Sequence, residues 1–189
     1  MKSITQGILV TLLLTALTAC SSKPTHIIVS PVLNSVVGHN YNEKTVQFNV
    51  VDMRTSSPVV QILKVGKAAT ILSSQQLLEK IIADTLTRGW KKQQLFFAPL
   101  AAEKINIIIT KAVIQVNQKT IRYTTQSEII LRVEITNAKQ TLTTHFTIKG
   151  NSKGPLQADI AVLEREFNQQ LSELLEKILA SDDIKVFLN

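Results

Sequence analysis

Three successive segments between residues 105 and 148 have the alternating, β-branched pattern of β-strands. We predict strands over 105–117, 120–136 and 141–148, with a tight Asn-Ala-Lys-Gln connection at 137–140. Valine, isoleucine and threonine fit the pleated, half-buried surface of a sheet. The centre of the chain is therefore constrained to a sheet, which the remaining segments must cover.

Shorter strands are predicted before this sheet. Residues 45–52 alternate apolar and polar side chains, which is typical of a half-buried strand. Segments 59–65 and 69–72 have the spacing of a hairpin around Gly66 and Lys67, and residues 27–29 form one short strand. Four strands therefore precede the first predicted helix.

Two amphipathic helices are predicted. The first begins at Ser73, which has capping-box spacing with Gln76, and Gly89 is placed to end it as a left-handed cap. Residues 150–157, with their glycine and proline, are expected to break the sheet before a second helix over 159–180. Its apolar stripe alternates steps of three and four, as in a helix with one face packed on a core: Ile160, Leu163, Phe167, Leu171, Leu174 and Ile178.

This order of elements predicts an α+β fold. Both helices can bury their apolar stripes on one face of an antiparallel or mixed sheet, which gives a two-layer sandwich. The apolar residues of the final segment, 184–188, also need a surface that covers them.

The first nineteen residues have the features of a secretory signal. Lys2 precedes an apolar stretch, 8–17, that is shorter than the ~20 residues needed to span a bilayer. The following Leu17-Thr18-Ala19-Cys20 resembles the lipobox of bacterial lipoproteins, in which a cysteine becomes the lipidated amino terminus. We therefore predict cleavage before Cys20 and a membrane anchor on its thiol. An ordinary cleaved signal and an uncleaved helical anchor are the alternatives.

This assignment divides the chain into three parts. They are a signal peptide at 1–19, a lipidated tether with a short first strand at 20–42, and one α+β domain at 43–189. Removing 19 of the 189 residues leaves 170, enough for a single domain with a sizeable core. Cys20 is the only cysteine, so an internal disulfide is excluded.

Positive charge is concentrated in the first part of the exported chain. Residues 21–150 contain sixteen Lys and Arg against seven Asp and Glu, whereas 151–189 contain four against seven. Export separates the protein from nucleic acid, which is therefore not an expected partner. Phospholipid or lipopolysaccharide head groups and the cell wall are the acidic neighbours, and a merely solvated basic surface is the alternative.

The sequence contains no pattern typical of an active site, a metal site or a cofactor site. His26, His39 and His145 are far apart, and none has the spacing of a metal ligand. A Gly-rich phosphate loop, a nucleophile elbow and a dinucleotide fingerprint are all missing from the sequence. We therefore predict a non-enzymatic protein without catalytic residues, metal or cofactor.

Asp52 and Arg54 are the polar pair most suited to a ligand or partner contact. Two residues apart on a strand, they point to the same face. They either contact a ligand or partner or form a structural ion pair. The structural pair is favoured because one ion pair alone makes no active site.

Several short motifs together resemble the YajG-like lipoproteins of Gram-negative bacteria. They are the lipobox, Val51-Asp52-Met53-Arg54, Arg88-Gly89-Trp90 and Ile184-Lys185-Val186-Phe187-Leu188. Trp90 stands where that family usually has a tyrosine-type aromatic. The resemblance implies a location and a fold but no catalytic residue. Ser21 replaces the aspartate that retains enteric lipoproteins in the inner membrane, which implies the periplasmic face of the outer membrane.

Two functional classes are compatible with these features. The first is a non-enzymatic adaptor or envelope assembly factor that binds another envelope protein or peptidoglycan. The second is a carrier or scavenger that holds an apolar ligand between helices and sheet. An enclosed apolar pocket with a mouth favours the carrier, and a filled core beside an exposed apolar patch or an open sheet edge favours the adaptor.

Overall fold

The computed structural model of the chain describes residues 24–34, 38 and 40–189. The predicted signal peptide, the lipidation residue Cys20 and His39 lie outside these residues. Within the described ranges, no helix combines the length and the apolar character needed to cross a membrane.

The described strands form one mixed sheet of eight strands. In chain order they are β1 (His26–Ile27), β2 (Thr45–Asp52), β3 (Val60–Lys64), β4 (Thr70–Ser74), β5 (Phe96–Phe97), β6 (Lys104–Gln118), β7 (Arg122–Thr136) and β8 (Thr141–Pro155). β6 lies at the centre, with antiparallel β7 and then β8 on one side. On the other side, β2 runs parallel to its first half and β3 parallel to its second half. β5 extends the sheet beyond β2, whereas β4 and then β1 extend it beyond β3.

The sheet buries one face and leaves the other partly exposed. Along β7, alternate side chains form a buried inner face: Ile129, Leu131, Val133 and Ile135. The intervening side chains form a half-exposed outer face: Glu128, Ile130, Arg132 and Glu134. This two-residue period follows from the pleat of a strand, and it confirms the three long strands predicted from the sequence.

The described residues also form three helices: α1 (Leu78–Lys92), α2 (Ile160–Ala180) and α3 (Asp182–Leu188). α1 packs on β2, where Trp90 meets Phe48 edge-on with 5.2 Å between ring centroids. α2 packs on β7, β8 and α1 and buries its predicted stripe from Leu163 to Ile178. α3 buries Ile184 and Leu188 and leaves Val186 exposed, so the domain covers part of the apolar end of the chain.

The α+β class and the mixed sheet are confirmed, but both predicted ends of the first helix are wrong. Ser73 lies in β4, where it pairs with His26, and α1 begins only at Leu78. Gly89 lies inside α1, which continues to Lys92. A Cβ at Gly89 would come within 2.5 Å of Leu179, so this glycine allows close approach of α1 and α2.

The sheet break predicted at 150–157 is also wrong. β8 continues to Pro155, which pairs with Arg122. A Cβ at Gly154 would lie 2.5 Å from the ring of Tyr123, so the glycine makes room for a neighbouring aromatic. Glycine in this strand reflects side-chain packing rather than the end of an element.

Candidate functional site

Residues 28–34 lie extended along α2 and are held by a row of polar side chains. The row accepts hydrogen bonds from alternate backbone N–H groups at 2.7, 2.7, 2.9 and 2.7 Å: Ile28 to Glu164, Ser30 to Asn168, Val32 to Ser172 and Asn34 to Glu176. The amide of Asn168 also donates to the carbonyl of Ile28 at 2.9 Å. We call these four α2 residues the acceptor row.

The acceptor row can bind the segment because the rise of four helical residues nearly equals the advance of two extended residues. Four residues of α-helix rise about 6 Å, and two residues of extended chain advance about 6.6 Å. Acceptors spaced by four on α2 therefore meet every second N–H of a strand. These contacts use backbone donors, so they fix the position and direction of the segment whatever its side chains are.

The other side of the segment belongs to the core. Ile27, Val29 and Pro31 are buried, and Leu33 approaches Gly89 of α1. Much of the region predicted as a tether is thus packed against the domain. An open groove of about 610 Å³ lies beside it, between the segment and the exposed side of α2.

The sequence prediction missed this arrangement. In the first turns of α2, the Glu164 carboxylate accepts the N–H of Ile28. The signal available in the sequence was the four-residue spacing of polar residues on the helix face beside the apolar stripe. Its partner strand cannot be identified from that spacing.

Asp52 and Arg54 form an ion pair with each other. The Arg54 guanidinium donates to both carboxylate oxygens, with Nη2 to Oδ2 at 2.7 Å and Nε to Oδ1 at 2.9 Å. Its Nη1 donates to the carbonyl of Ala112 at 3.2 Å. Ala112 lies in the part of β6 between the residues paired with β2 and those paired with β3. Arg54 therefore satisfies a backbone acceptor where one parallel strand replaces another.

This pair is partly shielded from water. The Arg54 side chain is 6% exposed and that of Asp52 is 22% exposed. Burial alone raises the pKa of Asp52, but hydrogen bonds and charge from Arg54 outweigh it and hold that pKa below its ordinary value of 3.8. The geometry supports a structural role for both residues, and their function as a contact stays a prediction.

The remaining polar residues are dispersed. His26 lies in β1 and His145 in β8, at opposite edges of the sheet. On the outer face, Lys111 and Lys149 donate to Glu128, which lowers the pKa of that carboxyl. Among the described residues, no group of three His, Cys, Asp or Glu side chains is arranged to hold a metal ion.

Replacing Asn168 by Ala tests the acceptor row. The variant loses two hydrogen bonds to the segment, so we expect its free energy of unfolding to fall by about 1.5 kcal/mol. Amide hydrogen exchange of Ser30 should accelerate because its acceptor is gone. Gln169→Ala, at the exposed neighbouring position, is the control and should change stability by less than about 0.5 kcal/mol. Unchanged exchange at Ser30 would contradict the arrangement.

Replacing Asp52 by Asn tests the ion pair. Arg54 would remain nearly buried without its counterion. We therefore expect the free energy of unfolding, measured with denaturant at neutral pH, to fall by about 2 kcal/mol. Because the folded pKa of Asp52 is depressed, the pair stabilises the fold above the unfolded pKa of about 4 and loses this effect as pH falls through the folded value. The difference between parent and variant should therefore shrink in acid.

Glu173→Gln is the matched control for the ion pair. It removes an i, i+4 partner of Lys177 in which both side chains are about half exposed. Exposed pairs of this kind contribute about 0.5 kcal/mol or less. Equal stability of parent and Asp52→Asn at neutral pH would show that the Asp52 charge does not stabilise the fold.

A solved structure of a bacterial protein shares this architecture. A Xanthomonas campestris protein of the DUF330 family superposes with a TM-score of 0.60 at 13% identity, covering 85% of this chain and 96% of its own. A putative neuraminyllactose-binding hemagglutinin homolog from Helicobacter pylori gives a TM-score of 0.43 at 12% identity, covering 84% of this chain and 91% of its own. At 13% identity, the likeness to the Xanthomonas campestris protein concerns the fold alone.

Sequence comparison identifies the family. No curated protein matches the chain significantly. A family model described as "Uncharacterized lipoprotein" matches residues 31–189. The matched part includes the acceptor row, the Asp52–Arg54 pair and the final helix. The resemblance noted in the sequence is confirmed, and the chain belongs to this family of uncharacterised lipoproteins.

Proposed function

We propose that the chain is a lipid-anchored, non-enzymatic adaptor of the cell envelope. In this proposal Cys20 carries the lipid, and the domain stands on the periplasmic face of the outer membrane. Its two long helices form the second layer of a two-layer sandwich, and its partner is another envelope protein or the cell wall. Membership of a lipoprotein family supports the anchor.

The long edge strand β8 is the observation that carries the adaptor role. β8 has 15 residues and, within the described part of the chain, pairs with β7 alone. The Ser152 N–H faces β7, since it donates to Thr125 at 2.9 Å. Along a strand, successive N–H groups point alternately to the two sides. The odd-numbered residues of β8 therefore direct their N–H groups to the open edge: Thr143, His145, Thr147, Lys149 and Asn151. Such an edge can accept a strand from a partner.

Core packing favours the adaptor over a carrier of apolar ligands. The space between α1 and β2 is filled by Trp90, Phe48 and Phe97, whose ring centroids lie 5.2 to 6.3 Å apart. Under α2, Phe167 and Leu171 are fully buried against the sheet. A carrier needs room for its ligand at these positions, and here side chains occupy them.

Cys20→Ser tests the anchor. Serine has no thiol to accept lipid, so the variant should lose metabolic labelling with palmitate, whereas the parent should carry it and fractionate with membranes. A secreted form that starts at Ser21 behind an ordinary cleavable signal is the control for folding and export. An adaptor needs the anchor, because tethering raises its concentration near a partner to roughly millimolar. Full function of the secreted form would contradict an anchored role.

Thr147→Pro and Thr147→Ala test the edge of β8. Both remove an exposed side chain, but only proline removes the outward N–H, and an edge strand tolerates this change. A photo-crosslinker at Thr147 in intact cells should capture a partner, whereas one at Lys80 on α1 should not. Once the partner is identified, its recovery with the purified protein should fall about tenfold for Thr147→Pro and stay unchanged for Thr147→Ala. Equal retention by both variants would exclude strand addition at this edge.

A further inference from the structure

Three connections meet at one end of the sheet and form a single surface. They are the β3–β4 turn at 64–69, the β6–β7 turn at 118–122 and the end of β8 with the following residues, 153–157. Strand register brings them together, because Lys64 pairs with Gln118 and Arg122 pairs with Pro155. A groove of about 550 Å³ runs between residues of all three. We call these three segments the tip surface.

The tip surface combines basic charge with exposed apolar side chains. Its segments contain five basic residues and no Asp or Glu: Lys64, Lys67, Lys119, Arg122 and Lys153. Val65 is 96% exposed, Ile121 is 73% exposed and Leu156 is 69% exposed. Each apolar residue is within three positions of a basic one in the sequence. Apolar side chains flanked by lysine and arginine are typical of contacts with an anionic membrane surface.

The chain that comes from Cys20 enters the domain from the same end. β1 runs parallel to β4, so the direction of β1 traced back from His26 through Thr25 points toward the β3–β4 turn. Residues 28–34 run parallel to α2, from Glu164 near its start to Glu176 near its end. α2 itself begins shortly after β8 reaches the tip surface. Two independent sets of contacts therefore point the amino-terminal side of the segment at the tip surface.

The available chain length limits how far beyond the tip surface Cys20 can extend. Five residues lead from Cys20 to Thr25 and span at most about 17 Å. The carbonyl of Thr25 accepts the N–H of Ser73, next to Leu72, whose partner in β3 is Val60. Val65 lies five residues beyond Val60, which is about 17 Å of strand. The backbone of Cys20, where the proposed lipid is attached, therefore cannot extend much beyond the level of Val65.

We propose that the tip surface is a membrane-contact surface for the anionic phospholipid leaflet that holds the Cys20 lipid. Val65, Ile121 and Leu156 enter the head-group region, and the basic side chains contact lipid phosphates. This inference rests on the proposed lipid anchor and adds an orientation to it. In this orientation β6, β7 and β8 extend from the tip surface away from the bilayer, and the domain does not rotate freely about its tether.

A fluorescent label at two positions tests this orientation. Val65→Cys and Leu100→Cys place a thiol at side chains that are 96% and 95% exposed, at opposite ends of β6. In the full lipidated chain Cys20 is blocked as a thioether, so an environment-sensitive fluorophore labels the new thiol only. Each protein is reconstituted into vesicles of phosphatidylcholine with an equal amount of phosphatidylglycerol. Iodide quenching should be at least threefold weaker at position 65 than at position 100.

Charge removal separates membrane contact from other causes of protection. Lys64→Gln, Lys67→Gln and Lys119→Gln, combined in the Val65→Cys chain, should restore most of the quenching, as should vesicles of phosphatidylcholine alone. Equal quenching at positions 65 and 100 in a chain that carries lipid overturns the tip surface and leaves the anchor intact. Absence of lipid on Cys20 in the parent overturns both proposals.

Discussion

Hydrogen bonds from residues 28–34 to the acceptor row fix the path and the direction of the chain where it enters the domain. Four N–H groups of an extended segment meet four acceptors on α2, because helix and strand periods agree over this length. The same segment continues from β1, so its direction also fixes the parallel pairing of β1 with β4. In the proposed lipid-anchored protein, a tether attached in this way transmits orientation as well as position.

A second constraint comes from the central strand. β6 is too long for either parallel neighbour, so β2 covers its first half and β3 its second. The junction leaves backbone groups of β6 without a strand beside them, and Arg54 donates to one, the carbonyl of Ala112. Asp52 supplies the charge that makes burial of this guanidinium tolerable. The junction between β2 and β3 therefore gives Asp52 and Arg54 a structural role.

Local patterns predicted most of the elements but not their long-range contacts. Alternation in β7 and the three-and-four stripe of α2 were sufficient because each reflects burial of one face. Gly89 and Gly154 were misassigned because they serve packing against Leu179 and Tyr123, which are distant in sequence. The acceptor row was missed for the same reason, since its partners lie more than 130 residues away. Capping and turn rules describe neighbours along the chain only.

The proposed edge and tip surfaces constrain each other. β8 begins at the far end of the domain and ends at the tip surface, so in the proposed orientation its open edge rises from the membrane. Fifteen residues of strand extend about 50 Å. Because the tip surface lies in the head-group region in this orientation, a partner that pairs with β8 must lie within about 50 Å of the bilayer. Proteins embedded in that membrane, or standing close to it, meet this condition, whereas freely diffusing proteins gain nothing from the anchor.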